Sequence, residues 1–440
     1  MLIWVAMNRI AIRREDKNKW ERRAPLTPVQ VTKLVEHGLD VSVQSSSIRA
    51  FADDEYFKAG AAVLDDISEA NVVLAIKEIP IELLEAGKTY LFFSHTIKGQ
   101  PHNMPLLKRL LELNCQLIDY ERVIDGQNRR LIFFGEHAGL AGMIDTLHVL
   151  GQRLAWEGID TPLAAIKPTY EYADFPAAQN AIRAVGQRIL EEGLPVELLP
   201  FVIGIAGYGN VSRGAQAILD LLPIREITPT ELASLAETDN IYRNFVYKVI
   251  FKEEDTVEPA ADGQPFVLAG FFEHPIRYRS KFSPYLTHLS VLVNCIYWDT
   301  PYPRLLTKET ARRLYQADSP PRLRVIGDIS CDIEGAIEPT VKATSPDNPA
   351  YVWDPATDTA LDGVAGDGPV IMAVDNLPCE LPIEASTSFG EALLPFLPAL
   401  AACDFSVDFE ACDLPPELKR AAIVYQGELT PDYRYLGQFI

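Results

Sequence analysis

Phe201-Val202-Ile203-Gly204-Ile205-Ala206 runs directly into Gly207-Tyr208-Gly209-Asn210-Val211-Ser212-Arg213-Gly214. A short unbroken apolar run bounded by glycine reads as a buried strand, and Gln216 to Leu222 continues as a helix. Strand, glycine turn and helix together form the setting that a dinucleotide fingerprint requires. Gly207 permits the tight turn, and Gly209 lets the backbone approach a pyrophosphate at the helix N-terminus. Ser212 stands where a third glycine is usual. Gly207, Gly209, Asn210 and Val211 are therefore candidate cofactor contacts. The next strand, Ile224-Arg225-Glu226-Ile227, ends at Thr228-Pro229. Sites specific for NAD usually carry Asp or Glu at that end. Thr228, with Arg225 nearby, points to NADP instead. Further on, Ser290 to Ile296 is an apolar run that brings Asn294 and Ile296 to a strand end.

The N-terminal third keeps the same alternation of strand and helix. Residues 9 to 13 read as a first strand. Thr27 as N-cap, Pro28 at the first helical position and Gln30 at the third mark a helix that Gly38 stops. Val72-Val73-Leu74-Ala75-Ile76 ends in Lys77, and Tyr90-Leu91-Phe92-Phe93 ends in Ser94-His95. Pro80 to Gly87 has room for a short crossover, so the two strands are expected to be parallel neighbours. In open α/β sheets ligands gather at the carboxyl ends of strands. Lys77 and His95 would face one cleft there, and their pKa values are readily tuned for proton transfer.

The chain has 440 residues, of which 48% are hydrophobic, enough for two or three domains with large cores. Its 61 acidic residues outnumber 40 basic ones, a net charge of −21 that argues against nucleic acid and anionic membranes. Much of the excess, such as Glu253-Glu254-Asp255 and Asp404 to Asp413, reads as solvated loop. Six scattered cysteines show no metal-ligand spacing and fit reduced thiols in a cytoplasmic protein, with no metal expected. The start, Met1-Leu2-Ile3-Trp4-Val5-Ala6, lacks the charged region of a signal peptide.

The fold class expected is α/β, with two Rossmann-like domains and the dinucleotide domain inserted in the middle of the chain. Residues 1–150 begin the substrate domain, 151–370 form the dinucleotide domain, and 371–440 return to the first. The active site is expected in the interdomain cleft. Gly135 to Trp156 reads as a long helix whose small residues suit close backbone packing. Residues 338 to 368 read as loop, and Pro395 and Pro398 should break a last helical stretch from Glu384 to Ala401.

Several strings together resemble the lysine–2-oxoglutarate reductases, the saccharopine-forming enzymes, over nearly the whole chain. They are Ile12-Arg13-Arg14-Glu15-Asp16, Trp20 to Leu26, Phe92 to Lys98, Gly207 to Gln216, Asn294 to Trp298, Asp328-Ile329-Ser330 and Val374 to Pro378. In animals and plants that unit is the N-terminal half of aminoadipic semialdehyde synthase. More distantly the chain resembles fungal lysine-forming saccharopine dehydrogenase and alanine dehydrogenase. The resemblance implies that Lys77 and His95 are the acid–base pair. It also implies that Arg23 and Arg130 bind substrate carboxylates and that Asp332 lies on the cofactor side of the cleft. Arg14 is a further suitable carboxylate partner. His137 departs from the aromatic residue usual in the family.

The function so implied is condensation of L-lysine with 2-oxoglutarate and reduction of the imine by NADPH to saccharopine. The expected partners are these small molecules, with no nucleic acid or membrane. Because the chain stops at Ile440, oxidation of saccharopine is expected to fall to a separate enzyme. Two alternatives stand beside this reading. One is a related amino-acid dehydrogenase acting on another oxo acid, and the other is a non-catalytic NADP-binding regulator of the same fold.

Overall fold

The computed structural model describes residues 7–235, 241–317 and 321–440. The stretch Met1–Ala6, read above as no signal peptide, lies outside the described residues. In chain order the strands are β1 (Ile10–Ile12), β2 (Val41–Gln44), β3 (Ala62–Leu64), β4 (Val72–Leu74), β5 (Thr89–Phe92) and β6 (Gln116–Asp119). Then come β7 (Val202–Ala206), β8 (Ile224–Ile227), β9 (Val246–Phe251), β10 (Val257–Pro259), β11 (Tyr278–Ser280), β12 (Val291–Asn294) and β13 (Val325–Asp328). The last are β14 (Ala350–Asp354), β15 (Thr359–Asp362), β16 (Val370–Met372), β17 (Ala422–Tyr425) and β18 (Glu428–Leu429).

Two compact units result, one of residues 1–134 with 382–440 and the other of 135–381. Both are built on a mostly parallel eight-stranded sheet, an α/β architecture. The units meet in sequence at 134/135 and 381/382, whereas the sequence boundaries were drawn at 150/151 and 370/371. The helix Gly135–Trp156 is the reason for the first difference, since it packs as a whole within the second unit.

In the first unit the sheet order is β18-β17-β6-β5-β4-β1-β2-β3. β4 and β5 pair in parallel, with Leu74 opposite Leu91. β17 returns from the far end of the chain and lies antiparallel on β6. The helix Pro28–Glu36 starts as its sequence demands, with the reciprocal Thr27–Gln30 capping box and proline in the first turn. Its Val31 and Leu34 join a core with Phe389, Leu393 and Leu397. Those residues belong to Pro382–Leu393 and Leu397–Ala402, two helices separated by a short 3-10 turn at Pro395.

In the second unit the order is β15-β14-β16-β13-β12-β7-β9-β8. The region read as loop at 338–368 holds β14 and β15, an antiparallel pair at the sheet edge. Its Asp, Pro and Gly residues are turns, while Ala350-Tyr351-Val352 is buried strand. The helix Gly135–Trp156 crosses Asn210–Leu219 at backbone contact. A Cβ on Gly139 would stand 1.9 Å from the Val211 carbonyl, and one on Gly214 would stand 2.0 Å from the Glu136 carbonyl. Only hydrogen fits at either crossing point, and this contact sets the position of the helix that follows the glycine turn.

Candidate active site

In the first unit β4 and β5 deliver Lys77 and His95 to the same end of adjacent strands. The Phe93 N–H donates to the Ile76 carbonyl at 3.1 Å, so the two side chains leave the sheet close together. Glu15 pins the Lys77 turn by accepting the backbone N–H groups of Ile76 (2.6 Å) and Lys77 (3.0 Å). Asp119 pins the other turn, accepting the Ser94 N–H at 3.1 Å and the Ser94 hydroxyl. Between these anchors His95 takes a left-handed backbone with φ of 49°. For a residue with a Cβ that conformation is strained and must be held by its surroundings. Asn103 helps, donating its side-chain amide to the His95 carbonyl at 2.9 Å.

The electrostatics favour proton transfer. Burial pushes the Lys77 ammonium below its usual pKa, and the charges of Arg23 and Lys17 add to that. Glu78 meets His95 Nδ1 in a short hydrogen bond. Burial opposes ionisation of Glu78, but the His95 ring and then Lys17 outweigh it and hold its pKa at about 2. A carboxylate there requires Nδ1 to carry the proton, which leaves Nε2 for chemistry. The Phe93 ring stacks on the imidazole at 6.4 Å between centroids.

The arginines divide. Arg23 is buried, gripping Glu21 through two nitrogens at 2.7 and 2.6 Å and lying 4.2 Å over the Phe134 ring. It is placed to act on Lys77 through its charge. Arg14 is half exposed, 3.8 Å from Asp16. Arg130 is half exposed and paired with Glu121. Sequence reasoning missed Glu15, Glu21 and Glu78. The one available signal was adjacency, since Glu78 directly follows Lys77 and Glu15 follows the first strand.

Glu15 also gives a pH test. Burial, with Glu21 close by, raises its pKa from 4.5 to about 7. A carboxyl raised in the folded state contributes stability that is fully present below 4.5 and lost as pH rises through about 7. The effect is of order 3 kcal/mol. Urea unfolding at pH 5 and pH 8 should show that loss, and Glu15→Gln should remove most of the difference. An unchanged pH dependence in the variant would assign it elsewhere, for instance to buried Asp119 or Asp328.

In the second unit a cavity of about 410 Å³ opens at the carboxyl ends of β7, β9 and β12. The strand order reverses at β7, the place where open sheets bind ligands. Gly207, Gly209 and Ile296 line it. Gly207 has φ of 99°, and a Cβ there would come within 3.0 Å of Ile296. Asn210 and Val211 form the first turn of the following helix without lining the cavity. Asn294 is buried, bonding Asp328 at 2.8 Å and accepting the Ile296 N–H at 3.3 Å, so it supports the wall from behind. Asp332 stands outside the cavity, in the loop after β13.

Thr228 is corrected by the sheet order. β9 lies beside β7, and β8 is one strand further out. Thr228 instead caps the helix Pro229–Ser234 in a reciprocal box with Glu231. The strand end that faces the glycine turn is Phe251-Lys252-Glu253, and all three residues line the cavity. Among the described residues, no group of three His, Cys, Asp or Glu is placed to hold a metal ion. No helix among them is long and apolar enough to cross a membrane.

Comparison with known proteins agrees with this architecture. A family model described as alanine dehydrogenase/PNT, N-terminal domain, matches residues 11–141. A solved L-alanine dehydrogenase superimposes with a TM-score of 0.61 at 19% identity, covering 98% of this chain and 100% of that one. The chain therefore has the two-domain α/β fold of the alanine dehydrogenase class. It is 39% identical to alpha-aminoadipic semialdehyde synthase of Arabidopsis thaliana over 97% of this chain and 41% of that protein. The mouse mitochondrial alpha-aminoadipic semialdehyde synthase is 36% identical over 97% of this chain and 47% of its own length. Saccharopine dehydrogenase [NAD(+), L-lysine-forming] of Schizosaccharomyces pombe is 27% identical over 89% of this chain and 93% of that protein. Within its class the chain is thus a homologue of the alpha-aminoadipic semialdehyde synthases and the lysine-forming saccharopine dehydrogenases, and it spans just under half the length of the former.

Proposed function

We propose that this chain is a lysine–2-oxoglutarate reductase, joining the ε-amine of L-lysine to the oxo carbon and reducing the resulting imine to saccharopine. The observation that carries the reading is Lys77, with its ammonium destabilised, beside a Glu78–His95 pair on adjacent strand ends. It stands on a chain homologous over 97% of its length to the aminoadipic semialdehyde synthases. The activity is an oxidoreduction at a CH–NH bond, with a nicotinamide dinucleotide as reductant. The glycine turn and the cavity beside it fit such a group, because a side chain at Gly207 would fill the cradle. When bound, the dinucleotide supplies the hydride. With Thr228 off the neighbouring strand, the ground for choosing NADPH falls away.

The residues of this chain handle the protons. Lys77 as a neutral amine accepts the proton that the substrate ε-ammonium must lose before it attacks. His95 Nε2 gives a proton to the carbinolamine hydroxyl, which leaves as water. The donor is the ring protonated on both nitrogens; Glu78 accepts its Nδ1–H, so that loss of the Nε2 proton returns the imidazole to the Nδ1–H tautomer. Arg14 and Arg130 are available to substrate carboxylates, since exposed pairs like theirs are worth only about 0–1 kcal/mol and are readily exchanged. Asp332 and Asn294 have no direct step in this scheme.

The test is a reductant-oxidation assay with lysine and 2-oxoglutarate, each omitted in turn. Turnover with an oxo acid and ammonia alone would favour the amino-acid dehydrogenase, and absence of turnover the regulator. Arg130→Ala should fold normally and raise KM for the oxo acid roughly tenfold or more, the loss of one charge-assisted contact. Its dinucleotide Kd should be unchanged. Wild-type KM for both substrates would remove Arg130 from the site.

A further inference from the structure

We infer that Tyr435 and Phe439 are positioning residues for the proton transfers, bracing from the C-terminal segment the loop that carries His95 and so holding its imidazole against Glu78. The inference rests on the acid–base reading of Lys77 and His95. Its starting point is a strained turn in need of support. His95 has φ of 49°, and a residue with a Cβ keeps such a backbone only where its neighbours over-determine it. Upstream, Asp119 fixes Ser94 through the backbone N–H at 3.1 Å. Downstream, the restraint comes from the far end of the chain. The Tyr435 hydroxyl donates to the Ile97 carbonyl at 2.6 Å. Two residues further on, the Phe439 ring covers Gly99, where φ is 66° and a Cβ would stand 2.6 Å from the ring. The Gly99 N–H closes the turn onto the Thr96 carbonyl at 2.9 Å. Thr96 in turn meets Ser94, hydroxyl to hydroxyl, at 2.8 Å.

Neither side chain is needed to dock the segment that bears it. The 3-10 helix Pro431–Gln438 is anchored by its two buried residues, Tyr433 and Leu436, which share a core with Phe92 and Met104. Arg122 adds a bond from Nε to the Tyr433 hydroxyl at 3.0 Å. Tyr435 and Phe439 are 46% and 44% exposed, so each buries little apolar area and adds little to folding by that route. Their contacts fall instead on the stretch from Ile97 to Gly99, just past the imidazole. With that end released, the backbone at His95 relaxes toward an unstrained conformation, and the ring turns away from Glu78.

The test separates positioning from stability on the full chain. Tyr435→Phe, which removes only the hydroxyl, and Phe439→Ala should each lower kcat for the proposed condensation roughly tenfold. The double variant should lose on the order of 100-fold, the scale of a misplacement of about 1 Å. Thermal melting and the dinucleotide Kd should stay at wild-type values. The limb of the pH profile that His95→Gln removes should shift in both variants, whereas a loss of folded protein lowers the profile without moving it. Proton NMR reads the contact without turnover. The Nδ1 proton held by the Glu78 carboxylate should give a downfield resonance, assigned by its absence in His95→Gln and broadened or lost in the double variant. Wild-type kcat in the double variant would overturn the inference, as would a lowered kcat with the resonance and the pH limb unmoved. If the wild type itself failed to turn over lysine with 2-oxoglutarate, the functional reading would fall. The resonance would then decide alone, its persistence in the double variant showing that Tyr435 and Phe439 do not hold His95.

Discussion

Lys77→Met and His95→Gln should each lower kcat for the proposed condensation of lysine with 2-oxoglutarate by on the order of 10²–10⁴-fold, the usual worth of a positioned acid or base. Both variants should fold and bind dinucleotide as the wild type does, because the glycine turn and its cavity belong to the other unit. In the proposed scheme the two groups serve one proton-transfer sequence, so the double variant should lose less than the product of the single losses. The wild-type pH profile should be a bell. Lys77 must be neutral to accept a proton, and burial with Arg23 and Lys17 moves its ammonium toward neutral pH. Loss of one limb of the bell in each variant would support the assignment. A folded Lys77→Met protein that turned over at the wild-type rate would end it.

Gly139→Leu should be the most damaging single substitution for folding. Its Cβ would stand 1.9 Å from the Val211 carbonyl, and a backbone atom cannot rotate away as a side chain does. Overpacking in a core costs about 1–3 kcal/mol when neighbours can yield, and this site should exceed that range. Urea or thermal unfolding measures it, and a loss below about 1 kcal/mol would mean the helices separate easily. Gly209→Ala makes the contrast. A Cβ there meets nothing within 4 Å, so the variant should keep its stability while binding dinucleotide more weakly. That pair of outcomes would assign the first glycine to helix packing and the second to the ligand.

Much of the architecture was legible because it obeys local rules. The helix at Pro28 carried its own cap and proline, and the paired strands ending in Lys77 and His95 were continuous apolar runs. The dinucleotide turn showed itself as strand, glycine and helix. What could not be read was order across a sheet. The spacing rule took the next strand in sequence, β8, as the next in space, and so chose Thr228. The chain instead lays β9 between β7 and β8, and a run of three acids that read as solvated loop begins with a cavity residue, Glu253. The hairpin β14–β15 was hidden by its turn residues. Glu15 and Glu78 were hidden because a buried carboxylate next to a backbone amide or an imidazole has no sequence signature of its own. Arg23 was read as a carboxylate binder, and its tight bond to Glu21 is the kind of contact only three dimensions reveal.

The antiparallel seating of β17 on β6 also bears on how the protein is made. A nascent chain that has emerged through residue 381 holds every strand of the second unit, yet its first sheet still ends at β6 with a row of unpaired amides and carbonyls. That sheet also lacks Phe389 and Leu393, which fill part of its core. Open edges of this kind recruit other strands, and partly folded chains aggregate through them. The second unit can therefore finish while the first waits, though the first began synthesis earlier. A fragment of residues 1–134 should express as an aggregating or molten species, and adding residues 382–440 as a separate peptide should rescue it.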